Sequence, residues 1–488
     1  MILELIYTKE DITMSTSQVL PKELRLAAPP TMPQARSYMF KQQSSNATYD
    51  PSNSSSIQIN LPRLQRSYLT KDSYLKFRLN FTSAFTKLAT ENIHFDVPGA
   101  FGLIDKIEVY DYLGSTLLES TSGHGQLMAL LLDMNANPNE MQFHYGVNCG
   151  TKGAAIVDDP DSGATRSMVF PPIQGDTPVS GDIAATQYFE YAIPLLSFLG
   201  NLSQKYAPLH NGYTIMISLN TIEKAFGAVI ADGVTGPTAF PSSYQLSNVY
   251  YACQVLELGP TAEAMLLGSA QGRPLVIPAK AFRNYVSSVP ASASNFRLDL
   301  NLNVASLTNI LWIMRQDTYG PGAAASAKYK TLSNRIRNYL QSWYFQYGSS
   351  ILPQTSGIQC SSPVGTTIVN GGHDEAYIEL LKSRHGLNQT SYHSCIDRVS
   401  YNIDVGSATI AALSSLGVTK HGRFAAGMDL ELVPGRSANL ICGMNTNGMN
   451  TSIYGTFNGT TVAARVDAWA EYDAFINISP GIATTVSF

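Results

Sequence analysis

SYLKFRLNF (73–81) sets Tyr74, Lys76, Arg78 and Asn80 on one side of an extended chain and Leu75, Phe77, Leu79 and Phe81 on the other. Strict period-two alternation is the signature of a strand with one buried and one wet face. SIQINL (56–61), before it, alternates too. After it come IDKIEVYDY (104–112), GSTLLES (114–120), YFEYAIPL (188–195), YTIMISLN (213–220) and VYYACQVLEL (249–258), separated by Pro, Gly, Asn and Asp clusters. Short strands spaced by turn signals indicate a β-sandwich or barrel. Helical pattern is scarce. GQLMALLLDM (125–134) puts Leu127, Leu130, Leu131 and Met134 on one face, a short helix inserted between strands. Residues 148–187, with DDPDSGAT and QGDTPVSGD, form a long excursion from the sandwich, which costs little closure entropy on a rigid scaffold.

The chain has 488 residues, too many for one core and suited to two domains. Residues 259–273 (GPTAEAMLLGSAQGR) read as a linker, after which the pattern restarts. NFRLDLNL (295–302) echoes YLKFRLNF (74–81), and LTNILWIMR (307–315) stands in the place of LIDKIEVYD (103–111). SNRIRNYLQSWYFQYGSSILP (333–353) supplies a helix with Ile336, Leu340, Trp343 and Tyr347 on one face, mirroring that at 125–134. GGHDEAYIELLKSR (371–384) is another helical candidate. RVSYNIDV (398–405), FAAGMDLELV (424–433), SIYGTFNG (452–459) and VDAWAEYDAFINI (466–478) close the half, the last in the place of VYYACQVLEL. The echo is one of element order, which implies two copies of one fold.

Residues 1–55 read as an arm, with AAPPTMPQ and KQQSSNATYDPSNSSS and one or two helical turns at PKELRLA (21–27). Between residues 15 and 80 lies a mild basic excess: Lys22, Arg25, Arg36, Lys41, Arg63, Arg66, Lys71, Lys76 and Arg78 against Glu23, Asp50 and Asp72. Such an arm suits a neighbouring subunit, a membrane face or packaged nucleic acid; a frayed terminus is the plain alternative. MILELIYTKEDITM lacks a basic n-region, so it is not read as a signal peptide, and Met14 is an alternative start.

Composition narrows the function. The chain is 44% hydrophobic but only 14% charged, against about 25% charge in an average domain. A surface of hydroxyls and amides desolvates readily and suits large permanent interfaces. A net charge of −4 argues against extensive contact with nucleic acid. No stretch is long and apolar enough for a spanning helix. Cys149, Cys253, Cys360, Cys395 and Cys442 are odd in number, far apart and without a CxxC pair, so neither a disulfide framework nor a zinc site is expected. Sequons at Asn46, Asn53, Asn80, Asn201, Asn388, Asn450, Asn458 and Asn477 are read as chance products of a Ser/Thr/Asn-rich chain.

Catalytic signatures are missing: no GxSxG, HExxH, Walker loop or strand-linked GxGxxG. The nearest thing to a cluster is His393 and Cys395 with His385 and the run His373-Asp374-Glu375, whose spacing fits no metal or nucleophile pattern. Asp374 instead suits a helix cap. Asp158, Asp159 and Asp161 around Pro160 suit either calcium or a solvated acidic loop, without EF-hand spacing. Tyr250, Tyr251, Tyr344 and Tyr347 are read as half-buried β positions and interfaces rather than sugar-stacking platforms. No catalytic, cofactor-binding or metal residue is assigned, no cofactor is expected, and the chain is read as a structural protein, not an enzyme.

LIDKIEVYDYLGSTLLESTSGHGQLMALLLDM (103–134), RNYLQSWYFQYGSSILP (337–353) and GMDLELVPGRSANLICGMNTNGMNTSIYGTFNG (427–459) with VDAWAEYDAFINI carry a resemblance. Over about residues 50–488 the chain resembles the double jelly-roll major capsid proteins of the adenovirus-hexon lineage, most closely the polinton-like virus and virophage branch. The resemblance implies an all-β chain of two tandem eight-stranded jelly-roll β-sandwiches with short inserted helices and long loops. Its divisions would be an arm (1–55), a first jelly roll (56–258), a linker (259–273) and a second jelly roll (274–488). It further implies trimers of pseudo-hexameric shape that tile an icosahedral virion, with neighbouring capsomers, penton or minor capsid proteins as partners. Loops 148–187 and 353–372 would form outer turrets or lock neighbours. The arm would lie at the inner face, near genome or an internal membrane, without sequence-specific nucleic-acid binding. Synthesis in the host cytoplasm follows. A surface adhesin or carbohydrate-binding β-sandwich is the competing reading, and a β-sandwich hydrolase with two distant carboxylates a third.

Overall fold

The computed structural model describes residues 35–53, 56–82, 85–87, 92–95, 98–112, 114–136, 140, 145–150, 181–183, 188–199, 206–229, 243–269, 273–316, 335–360, 374–384, 396, 401–402, 422–432, 442–479 and 484–487. The first half holds two facing sheets. One runs β1 (Arg36–Gln43), β14 (Tyr244–Glu257), β4 (Ser67–Phe81), β10 (Phe189–Ile193), with β2 (Thr48–Tyr49) and β11 (Ala207–Pro208) at its margins. The other runs β3 (Ile57–Leu61), β12 (Tyr213–Leu219), β7 (Ile104–Asp111), β8 (Leu117–Ser122). Two small ribbons, β5 (Phe85–Lys87) with β9 (Gly181–Ile183) and β6 (Asn92–Phe95) with β13 (Phe226–Val229), stand beside them.

The second half repeats the plan. One sheet runs β15 (Leu275–Val289), β23 (Ala464–Ile478), β17 (Leu307–Gln316), β21 (Ala426–Asp429), with β24 (Thr485–Ser487) on β23. The other runs β16 (Asn295–Leu300), β22 (Thr451–Phe457), β18 (Leu340–Tyr347), β19 (Ser350–Leu352), with β20 (Ile358–Gln359) on β18. Ranked in chain order within each half, the main strands pair 1-8-3-6 in one sheet and 2-7-4-5 in the other, in both halves. That is the jelly-roll order, so the chain is all-β with two eight-stranded jelly rolls.

The opening stretch behaves as its alternation predicts: Leu75, Phe77, Leu79 and Phe81 are buried and Lys76 and Arg78 face outward. They meet rows from the opposite sheet, among them Ile59, Ile215 and Val109, which lie side by side across β3, β12 and β7. In the second roll the row Phe296, Gly455, Trp343 crosses β16, β22 and β18. A Cβ on Gly455 would stand 2.2 Å from Phe296 Cε1, so the strand approaches that ring only because the position has no side chain.

Several readings are corrected. Residues 333–353 hold no helix where described; Leu340–Tyr347 and Ser350–Leu352 are strands. A bulge between Leu340 and Ser342 adds one residue to the strand, so buried Leu340 and Trp343 fall three apart and imitate helical spacing. Beyond the bulge the alternation is plain, with Trp343 and Phe345 buried. The counterpart of the first-half helix α1 (His124–Asn135) is instead α5 (Asp374–Lys382): each lies between the fifth and sixth strands of its roll. The short helices α2 (Tyr145–Cys149) and α3 (Ile222–Ala225) belong to the first half.

Within the expected arm, Arg36–Gln43 is the first strand of the first roll, paired along its whole length with β14. Missing it displaced the internal alignment by one strand. NFRLDLNL corresponds to SIQINL, LTNILWIMR to the strand containing YLKFRLNF, and LIDKIEVYD to LQSWYFQY (340–347). Only the match of VDAWAEYDAFINI to VYYACQVLEL stands as read, both being eighth strands. Within 259–273, Pro260–Ser269 forms helix α4, with Pro260 in its first turn, where a missing N–H costs nothing. Of RVSYNIDV, Tyr401 is helical and Asn402 lies in a turn; the rest lies outside the described residues.

Candidate functional site

Among the described residues no group of His, Cys, Asp or Glu converges on a metal-sized site. His373, His385, His393 and Cys395, the acidic knot at 158–161, the sequons at Asn201 and Asn388, and Met14 lie outside the described residues. Glu375 is exposed and accepts the Gln359 amide across to β20. Cys149, Cys253 and Cys360 are buried free thiols, and burial pushes the Cys149 and Cys253 thiols up to about 12. Such protonated, enclosed thiols are poor nucleophiles.

Among the described residues, one organised polar cluster lies at the seam between the two rolls. β8 ends at Ser122, and Gly123 turns the chain into α1 with φ +64. A Cβ there would stand 3.3 Å from the Trp469 ring on β23, whose Nε1 donates to the Ser122 carbonyl at 3.2 Å. The apolar face expected of this helix is present, but it enters the other roll: Leu127, Leu130, Leu131 and Met134 belong to the second core. Leu132 and Ala136 stay in the first. In return, Ile277 of β15 and Ile476 and Ile478 of β23 pack into the first core.

Asp133, on α1, carries a carboxylate into this contact. Its Oδ2 accepts from Arg335 and its Oδ1 from Arg423 at 2.8 Å, both from the second half. All three side chains are buried. Taking these charges from water is costly, and the charge-assisted hydrogen bonds offset that cost. A bridge of this kind fixes one position of the helix against the second half, since displacement would leave a bare charge inside.

Two smaller contacts tie the first roll to later segments of the chain. Asn211 donates to the Ser479 carbonyl at 3.0 Å and to Thr484 Oγ1 at 3.3 Å. His210 Nε2 meets Glu263 of α4 at 2.7 Å. On β8, Glu119 Oε2 accepts from Ser197 Oγ at 2.7 Å and from the Phe198 amide at 3.0 Å. Burial raises its carboxyl to about 7 despite those two donors.

The outer faces are mixed and tyrosine-bearing. On the first roll, Glu190 bridges Lys76 and Arg78, Arg78 lies 4.4 Å over the Tyr188 ring, and Lys41 lies over Tyr250. An open cleft of about 630 Å³ beside them is lined by Tyr74, Lys76, Tyr145, Cys149, Glu190 and Tyr191 among others. On the second roll Arg297 lies over Tyr454, which stacks on Tyr344 at 5.2 Å. Sequence reading missed Glu119, Asp133, Arg335 and Arg423. The one available signal was an aspartate closing the apolar run LMALLLD.

No protein-family model matches the chain, and no curated protein matches its sequence. Solved structures do match. The capsid structure of the virus PBCV-1 superposes with a TM-score of 0.55 at 10% identity, covering 96% of this chain and 99% of that chain. The Sputnik virophage structure gives a TM-score of 0.55 at 11% identity over 96% and 92%. The mavirus major capsid protein gives 0.51 at 12% over 96% and 93%. Over almost its whole length the chain therefore has the double jelly-roll fold.

Proposed function

We propose that the chain is a major capsid protein whose trimers are pseudo-hexameric capsomers tiling an icosahedral shell. The observation that carries the reading is the exact repetition of strand order, 1-8-3-6 and 2-7-4-5, in two rolls locked across one seam. Two equivalent lobes per chain give a three-chain ring six lobes, and a six-lobed ring tiles hexagonally. A head-to-tail contact whose rotation closes makes a ring rather than a filament. Closed sandwiches limit the open strand edges that would favour fibres. The low charge of 14% suits permanent side-to-side interfaces. The likeness to PBCV-1, Sputnik and mavirus capsid folds points the same way.

On this reading the chain is a structural protein of the virion, not an enzyme, and is made in the host cytoplasm. Its partners are copies of itself, neighbouring capsomers and penton or minor capsid proteins. The segment ahead of β1 faces genome or an internal membrane, and the stretches of 148–187 and 353–372 outside α2, β9 and β20 serve as turrets or locks. The building block divides into a first roll ending at 258, a linker at 259–273 and a second roll from 274, with the first roll beginning at Arg36. An adhesin is disfavoured by the seam, which gives two lobes one fixed geometry. Light scattering on the purified full chain tests the reading. A trimer of about 160 kDa, three times 52.9 kDa, is expected; a monomer stable at high concentration contradicts it.

A further inference from the structure

Leu195, Phe198 and Leu199 pack in the first core, while Leu196 between them packs against the second. The segment after β10 thus straddles the seam, and Glu119 holds it: one carboxylate oxygen takes both the Ser197 hydroxyl and the Phe198 amide. Ser197 Oγ also accepts the Leu199 amide at 3.3 Å, so the hydroxyl relays the hold one residue further. Three residues along β8 from Glu119, the Ser122 carbonyl receives Trp469 of the second roll. We propose that Glu119 is a proton-operated catch on the seam, neutral while the rolls are docked and loosening the straddling segment when it ionises.

The surroundings support a catch rather than a permanent ion pair. Glu119 is 8% exposed, and the groups that act on its carboxyl are burial and those two donors, with no cation among them. Val109 of β7 lies opposite it. Of the four charged groups of β7, Lys106 and Glu108 pair with each other, Asp111 accepts from Ser115 and the Thr116 amide, and Asp105 is the fourth. From β15 and β23 come Arg283, Tyr285 and Tyr472, with Arg283 over the Tyr472 ring. Burial raises Tyr472, Arg283 pulls it back, and the Glu119 charge adds to the rise, which places that carboxylate within electrostatic reach of the second roll. At the start of α1, burial lowers His124 to about 4, so it stays neutral while Glu119 titrates.

An ionised carboxylate enclosed without a cation needs water, and the route to water is displacement of the segment. The proposal rests on the seam alone and stands whether or not the chain assembles into shells. The test is intrinsic tryptophan fluorescence of the full chain from pH 5 to 9. A red shift centred near pH 7 is expected, absent in Trp469→Phe and in Glu119→Gln. Ser197→Ala removes a donor that favours the ionised form, so it should move the midpoint to higher pH while leaving the carboxyl in place. A wild-type signal flat over this range overturns the proposal. So does a transition that persists in Glu119→Gln, or a Ser197→Ala midpoint that does not rise.

Discussion

Asp133 brings one carboxylate to two guanidinium groups inside the seam, and breaking such a bridge strands buried charge. Asp133→Ala is expected to cost about 3–5 kcal/mol, read as a lower midpoint in urea unfolding. A loss near zero would show that water reaches the arginines. Gly455 is a steric case: Gly455→Ala drives a Cβ into the Phe296 ring and should cost about 1–3 kcal/mol through forced repacking, read in the same assay. Glu119 gives the pH dependence. Its folded-state carboxyl is raised to about 7, so the folded chain holds a proton that the unfolded chain gives up above about 4.5. Stability therefore falls as pH rises from about 4.5 to 7 and stays lower above that. Differential scanning of Glu119→Gln should show a thermal midpoint less sensitive to pH across this window than that of the wild type. Of these residues none was legible in sequence, because a polar side chain's role depends on which distant strand faces it.

At the scale of elements, alternation was legible wherever a strand had one wet face, as in SYLKFRLNF and YTIMISLN. It failed at β18, where one bulged residue turned a period of two into an apparent helix. It failed at β1 because RSYMFKQQ is an edge strand, polar enough to pass for an arm. Deleting residues 1–43 should expose the edge of β14 and uncover Tyr38 and Phe40's packing site. Size-exclusion chromatography is expected to show aggregates in place of the wild-type peak, as for any uncovered sheet edge. One apolar face of helix α1 was legible, yet nothing in its pattern says that this face serves the other roll. Leu130→Ala should cost about 2–5 kcal/mol and weaken the second roll's core although it lies in the first half of the chain.

The whole molecule was legible as a duplication before its strands were correctly matched. Element order survived an alignment that was wrong by one strand, because both halves alternate between sheets in the same rhythm. What could not be read was the seam, which depends on helix α1 crossing into the second core and on Ile277, Ile476 and Ile478 crossing back. That exchange makes two sandwiches one block, and a rigid two-lobed block is what a six-lobed ring of three chains requires. Electron microscopy of the purified, concentrated protein puts this to the test. Rings with three-fold symmetry and six similar peripheral lobes, packed into hexagonal sheets or closed shells, are the predicted result. Isolated two-lobed particles, or lobes at variable angles to each other, would contradict it.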